Sequence, residues 1–256
     1  MLHAFIDETR KQHGSVPMFG LSAILFEQHN LAPFEAEWSA RCAGLKKPFH
    51  AAYCNANRDE YAAFGSAANR QLAADLAKII GRYRSYAFVC LLDQPEYDAW
   101  SAAHPSRVSA VGSPYAVCLV NILDMIKGVL DRAGDHREVW YGIESGGNGW
   151  NEAQDIFDRI LRLNKGQFKT KLQIKTYTQL GKTDSVHLCA ADFLIWEWQR
   201  HFYEDEKGTG GDEYRQNFKD LFSGEAASGI FHRYIDKGRI NNRALFNRIN
   251  KIDRDY

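Results

Sequence analysis

The chain reads as an α/β protein built on one mixed sheet flanked by helices. Two apolar runs lie close together at the N-terminus, at residues 2–7 and 18–26, with a Gly-Ser-Val-Pro turn between them. Later apolar runs alternate with amphipathic helical stretches instead. The first pattern predicts an antiparallel hairpin and the second predicts strand-helix crossovers, so the sheet is expected to be mixed. Hydrophobic residues make up 45% of 256, enough to bury a sizeable core and to exclude intrinsic disorder.

Each element has a local reason. Residues 34–47 place Phe34, Trp38 and Leu45 on one helical face. A second helix is expected from Asn69 to Ile80, with Gly81 as its stop. Ser85–Leu92 is apolar throughout, as in a strand covered on both faces. Pro114 precedes a long helix, Tyr115–Leu130, whose Leu119, Ile122, Leu123, Ile126 and Leu130 should face the sheet. Val139–Ile143 reads as a strand ending at Glu144, followed by a Gly-rich turn and a helix from Trp150 to Leu163. Phe168–Tyr177 alternates apolar residues or Thr with Lys and Gln, which predicts a strand with one basic face. Thr183 or Asp184 then caps an apolar helix running to about Phe202. Residues 1–203 are expected to form the main domain. Residues 204–256 are expected to be a flexible loop (Glu204–Glu213) and a helical extension packed on it.

Composition narrows the function. Basic and acidic residues balance at 32 each, so a globally basic nucleic-acid coat is excluded and any phosphate-binding surface must be local. The five cysteines are scattered without a C-x-x-C pair, which points away from a zinc ribbon or disulfide framework and toward a reducing compartment. The N-terminal residues lack the basic and long apolar regions of a signal peptide, and no apolar stretch nears the ~20 residues that span a bilayer. The expectation is a cytoplasmic protein with no membrane partner.

Three carboxylates stand in awkward places. Asp7 closes an apolar run in register with His3 and Phe5, and Glu144 closes another. Asp192 has Leu188, Cys189, Ile195 and Trp196 three and four residues away, so it sits inside the helix stripe that should face the core. A turn residue or a hydrogen-bonded buried acid would account for each one singly. Together they can converge on a hard cation, and oxygen-only ligation favours Mg²⁺ or Mn²⁺ over Zn²⁺. Two such ions would support phosphodiester cleavage, with Asp7 bridging them. Glu8 and Asp184 are reserve ligands, and Glu8 should point to the opposite face of the strand.

The pieces FIDET (5–9), PFHAAY (48–53), PYAVC (114–118), YGIESG (141–146) and TDSVHLCAADFLIWE (183–197) give the chain a wider likeness. Over most of its length, to about residue 203, it resembles a prokaryotic family of uncharacterised proteins, domain-of-unknown-function family number 3800, regarded as RNase H-like. The resemblance implies an RNase H-like sheet and a nuclease-like site, with Asp7, Glu144, Asp184 and Asp192 at the acidic positions. His50, in PFHAAY, also matches a family position; it can be a structural hydrogen-bonder, or it can contact a scissile phosphate or assist proton transfer. Thr9 and Arg10 replace the family's Ser and Gly, and Cys189 stands where Gln is expected. The acids stay while a polar companion is lost.

Residues 159–182 hold seven Lys or Arg and no acid, leaving the rest of the chain at −7. A solvated face is the ordinary explanation for such a run. Lying between Glu144 and Asp192 in sequence, the run can also hold a polynucleotide, with Lys169, Lys171, Lys175 and Lys182 as phosphate contacts. The tail from Arg233 to Arg254 adds seven more basic residues. The expected function is therefore a Mg²⁺- or Mn²⁺-dependent nuclease acting on DNA or RNA. Its rival is a catalytically silent RNase H-like module that binds a partner or forms a homodimer, with its acids satisfied by Lys or Arg.

Overall fold

A computed structural model of the chain describes residues 1–13, 16–106, 108, 112–145, 149–162, 170, 172–206, 221 and 230–235. Strands β1 (Leu2–His13) and β2 (Val16–Glu27) form the antiparallel hairpin. Helices α1 (Gln28–Arg41), α2 (Ala51–Asn55) and α3 (Gly65–Tyr83) follow, with a 3-10 turn at Asp59–Ala63. Next come β3 (Arg84–Asp93), α4 (Gln94–Ala103) and the long α5 (Pro114–Ala133). Then β4 (Val139–Glu144), α6 (Trp150–Arg162), β5 (Ile174–Leu180), α7 (Val186–Glu206) and β6 (Ile230–Ile235) complete the described elements.

The six strands make one mixed sheet in the order β5-β4-β1-β2-β3-β6. β4 adds parallel to β1, β5 parallel to β4, and β6 parallel to β3. The architecture is thus α/β, with a mixed sheet and helices on both faces.

Strand periodicity decides the layers. On β1, Leu2, Ala4 and Ile6 pack with α5 and α6 residues such as Ile122, Ile126 and Phe157. Phe5 packs on the other face with α1, α3 and α7 residues such as Phe34, Leu76 and Phe193. Alternation along a strand therefore assigns Asp7 to the α7 face and Glu8 to the α5 face. Trp140 packs on the α7 face and Tyr141 on the other, which puts Glu144 on the side of Asp7.

Helix α7 is buried at every residue from His187 to Gln199. Its sides rest on the sheet and on the α1–α3 layer, which explains its apolar circumference. Close docking is set by Gly20: a Cβ there would stand 2.8 Å from Leu91 Cδ2 and 2.9 Å from Ile195 Cδ1. Ser22, the β2 partner of Asp7, donates its hydroxyl to the Ala191 carbonyl at 2.8 Å. That bond fixes the helix one residue before Asp192.

Several boundaries differ from the sequence reading. β1 does not stop at Asp7 but continues to His13 within the hairpin. What ends there is the parallel pairing with β4, whose last pair is Ile6 with Ile143. Asp7 thus lies where the neighbouring strand gives out. The strand expected at Phe168–Tyr177 begins only at Ile174, after a turn in which Gln173 takes φ +56°; residues 163–169 and 171 lie outside the described residues. Lys175 and Thr176 are both exposed, so the alternation does not persist in the folded edge strand. The expected loop at Glu204–Glu213 starts inside α7, and residues 207–213 are outside the description. In the C-terminal stretch, expected to be helical, residues 230–235 are the sheet's sixth strand, because Ile230 and Ile235 are buried beside β3.

Gly20→Val tests the spacing between α7 and the sheet. The added side chain should cost about 1–3 kcal/mol by overpacking, read as a lowered urea midpoint with unchanged slope.

Candidate functional site

The site lies where β4 and β5 end, outside the carboxyl ends of parallel strands, a usual place for ligands in open α/β sheets. Asp7 comes from β1, Asp192 from the middle of α7, and Lys182 from the turn that joins β5 to α7. The Lys182 Nζ stands 2.9 Å from Asp7 Oδ2 and 3.1 Å from Asp192 Oδ1. The side chains of Asp7 and Asp192 are 2% and 10% exposed, so one ammonium is the shared counter-ion of two carboxylates withdrawn from water.

Backbone groups hold the other oxygens. Asp7 Oδ1 accepts from the Glu8 N–H at 2.8 Å, and Asp192 Oδ2 accepts from the Ala51 N–H at 3.1 Å. The latter bond ties α7 to the first turn of α2. His50 precedes that turn, with Nδ1 3.6 Å from Asp192 Oδ2 and its own N–H donated to the Tyr61 hydroxyl at 3.0 Å. The contact with Lys182 is not ideal for Asp7, because Oδ2 is buried and meets the ammonium outside hydrogen-bond geometry.

Electrostatics follow from burial. Desolvation lifts the Asp7 pKa to about 7 even though Lys182 opposes it, and the charges of Asp192 and Glu144 push the same way as burial. Burial works against the Lys182 charge, but Asp192 and Asp7 outweigh it, so its pKa rises and it stays protonated. Cys189 is near enough to feel Lys182, Asp192 and Asp7, yet burial pushes its thiol up to about 12. It is a poor nucleophile and fills space where a polar residue was expected.

The other predicted residues divide clearly. Glu144 is on the Asp7 face and close enough to act on its charge. However, among the described residues no group of three His, Cys, Asp or Glu side chains is placed to hold a metal ion. Asp7 and Asp192 converge, and Glu144 stands outside their shared shell. Glu8 is on the opposite face, where its Oε2 would lie 2.7 Å from a Cβ at Gly149, beside Tyr115. Asp184 is exposed and accepts from the Gly181 N–H at 2.8 Å, shaping the turn that carries Lys182.

The lysines divide as well. Lys175 is at the opposite end of β5 from Leu180, which neighbours Glu144, and pairs with Glu138 at 2.9 Å. Lys182 is inside the carboxylate pair instead of on a rim, because the turn after β5 folds back over the strand ends. Lys169 and Lys171 lie outside the described residues. What the sequence reading missed was this role of Lys182, together with Ala51 and Ser22 as the groups that hold Asp192 in place. A lysine two residues beyond a strand end and ten before a buried Asp was the available signal.

Could the pair hold a divalent cation? Mg²⁺ is commonly bound by one or two carboxylates, with water and substrate phosphates supplying the rest. Asp7 Oδ2 and Asp192 Oδ1 already meet at one cation, are acceptor-only, and include a buried oxygen with a badly aimed donor. The residues fit a single hard cation in the place of the ammonium. They do not supply the third carboxylate that the two-metal arrangement requires.

Comparison of the chain with protein-family models, with curated proteins and with solved structures gives no significant match.

A pH experiment isolates Asp7. With its folded pKa raised from 3.8 to about 7, its contribution to stability is full below pH 3.8 and is lost as pH rises through 7. Buried His187 runs the other way: burial lowers its pKa from 6.5 to about 4, so its contribution is present above pH 6.5 and lost as pH falls through 4. The two offset each other in the wild type. Asp7→Asn should therefore gain on the wild type between about pH 4 and 7, on the order of 4 kcal/mol across the range, and should show a steeper acid loss of its own. Urea unfolding at pH steps through this window reads both.

Proposed function

We propose that the chain is an RNase H-like phosphodiester-cleaving enzyme in which Asp7 and Asp192 take a single divalent cation, Mg²⁺ or Mn²⁺. The observation that carries this is the Lys182 ammonium held by both carboxylates at the strand ends. A buried pair of acids around one cation is costly to maintain, and groups of this kind concentrate at functional sites. The antiparallel hairpin followed by parallel additions at the β1 edge supports the RNase H-like reading, as does the resemblance to family number 3800. Nucleic acid is the substrate class that this reading names.

The chemistry a bound ion would supply is Lewis acidity toward a phosphoryl oxygen. The chain's own groups do the positioning. Ala51 N–H and His50 orient Asp192, the Ser22 bond sets the depth of α7, and Glu144 adds negative charge beside Asp7. Lys182, on its flexible stem, is the chain's own cation at this point and would supply a positive charge for a phosphate near the acids.

The second reading, a silent binding module, is favoured by the same ammonium, since Lys182 already neutralises part of the acidic charge. Calorimetric titration with Mn²⁺ separates the two. The cleavage reading expects uptake by the wild type, none by Asp7→Asn, and tighter uptake by Lys182→Met, which lacks the competing ammonium. Absence of uptake in both wild type and Lys182→Met would leave the silent module. In a nuclease assay with Mn²⁺, Asp7→Asn should lose at least about 100-fold, equivalent to about 3 kcal/mol. Glu144→Gln should lose less, because its carboxylate stands outside the shared shell.

A further inference from the structure

Beside Asp192 lies an aromatic surface of which the carboxylate chemistry uses only the His50 Nδ1. His50 and Tyr53 flank and enter α2, and their rings stack in parallel, with centroids 4.3 Å apart and planes 13° from one another. Tyr53 is 39% exposed, one of three large hydrophobic residues left open among the described residues, and the His50 side chain is 34% exposed. A stacked, solvent-facing pair is unusual at the edge of a site whose other members are buried. The pair is also anchored: the His50 and Ala51 N–H groups are held by Tyr61 and Asp192.

Basic residues adjoin this platform along the chain, together with Asp59 and with Glu60, whose carboxylate accepts from the Lys46 and Lys47 N–H groups. Lys46 and Lys47 are exposed on the stretch leading into Phe49 and His50, and Arg58 is exposed just beyond α2. Their side chains form no ion pair with any described residue. On α7, Arg200 lies over the Trp196 ring at 5.2 Å and donates to Asn55 Oδ1 at 2.8 Å, which brings its charge to the end of α2. Aromatic faces that accept bases, set among cations that follow a phosphate backbone, are how proteins hold single-stranded nucleic acid. A duplex, with its bases stacked inside, presents no base face to Tyr53.

We propose that Tyr53, backed by His50, is a stacking platform for an unpaired base of single-stranded nucleic acid, with Lys46, Lys47, Arg58 and Arg200 attracting the adjoining phosphates. This rests on the cleavage reading only for its purpose: the platform would seat the nucleotide next to the one whose phosphate reaches Asp7 and Asp192. The binding itself needs no metal.

The test is equilibrium binding in EDTA, where cleavage plays no part. The probes are a short single-stranded DNA carrying one 2-aminopurine, its RNA counterpart, and the DNA annealed to its complement. The wild type should bind the single strands, quench the 2-aminopurine by stacking, and prefer them to the duplex. Tyr53→Ala should weaken single-strand binding about tenfold or more and abolish the quench, as expected for loss of one stacked base. Tyr53→Trp should retain both, and the exposed position keeps either variant folded. Lys46→Ala with Lys47→Ala should make binding less salt-dependent. No wild-type binding, or Tyr53→Ala binding within about twofold of wild type, would overturn the platform. Binding that depends on Tyr53, without any cleavage under Mn²⁺, would uphold the platform and remove the cleavage reading.

Discussion

The sheet and the helix laid across it meet over a buried charge triad, Asp7–Lys182–Asp192. Removing any one member strands the others in a poorly solvated place, where an unpaired charge costs several kcal/mol. Much of the surrounding structure answers to that constraint. The turn after β5 must return Lys182 to the strand ends, and Asp184 shapes it by accepting from the Gly181 N–H. Helix α7 must place Asp192 at the right depth, which the Gly20 contact and the Ser22 bond determine. The short helix α2 exists at that spot as the donor to Asp192 Oδ2.

The triad also links stability to chemistry. Burial opposes the Asp7 charge and raises its pKa to about 7, and the charge of Lys182, which a metal ion would have to displace, works against that rise. On the proposed reading, divalent uptake would exchange one cation for another, and the mobility of the Lys182 stem would enter its free energy. Glu144, outside the shell but on the same face, raises the negative potential at the opening. The His50–Tyr53 stack adjoins the backbone N–H that holds Asp192, so the proposed platform and the acid would share a backbone support.

Asp192 was legible as an anomaly because helical spacing put four apolar residues around it. The opposite faces of Asp7 and Glu8 followed from the period of two. Lys182 was legible as a candidate phosphate contact but not as the partner of the acids: within a run of seven basic residues it looked like the others, and only the course of the turn after β5 distinguishes it from Lys175. Those two lysines belong to one strand and its turn, yet one pairs with Glu138 at the far end and the other with the acids. Tyr53 entered only as the last residue of PFHAAY, with no role attached, since an aromatic in a short helix is normally core.

The sequence by itself determined the order of most elements, the mixed character of the sheet, and the opposite faces of Asp7 and Glu8, since these depend on local periodicity. It also singled out Asp7 and Asp192, because an acid among apolar neighbours is unusual wherever it folds. Tertiary structure decided what those acids face. The end of β4, not of β1, defines the position of Asp7, and the sixth strand comes from a segment whose composition suggested a helix. Partner choice depends on where chain segments distant in sequence come to rest, and spacing along one segment carries no information about that. Asp7 thus begins as an acid after an apolar run and ends as half of a buried pair closed by Lys182, 175 residues later.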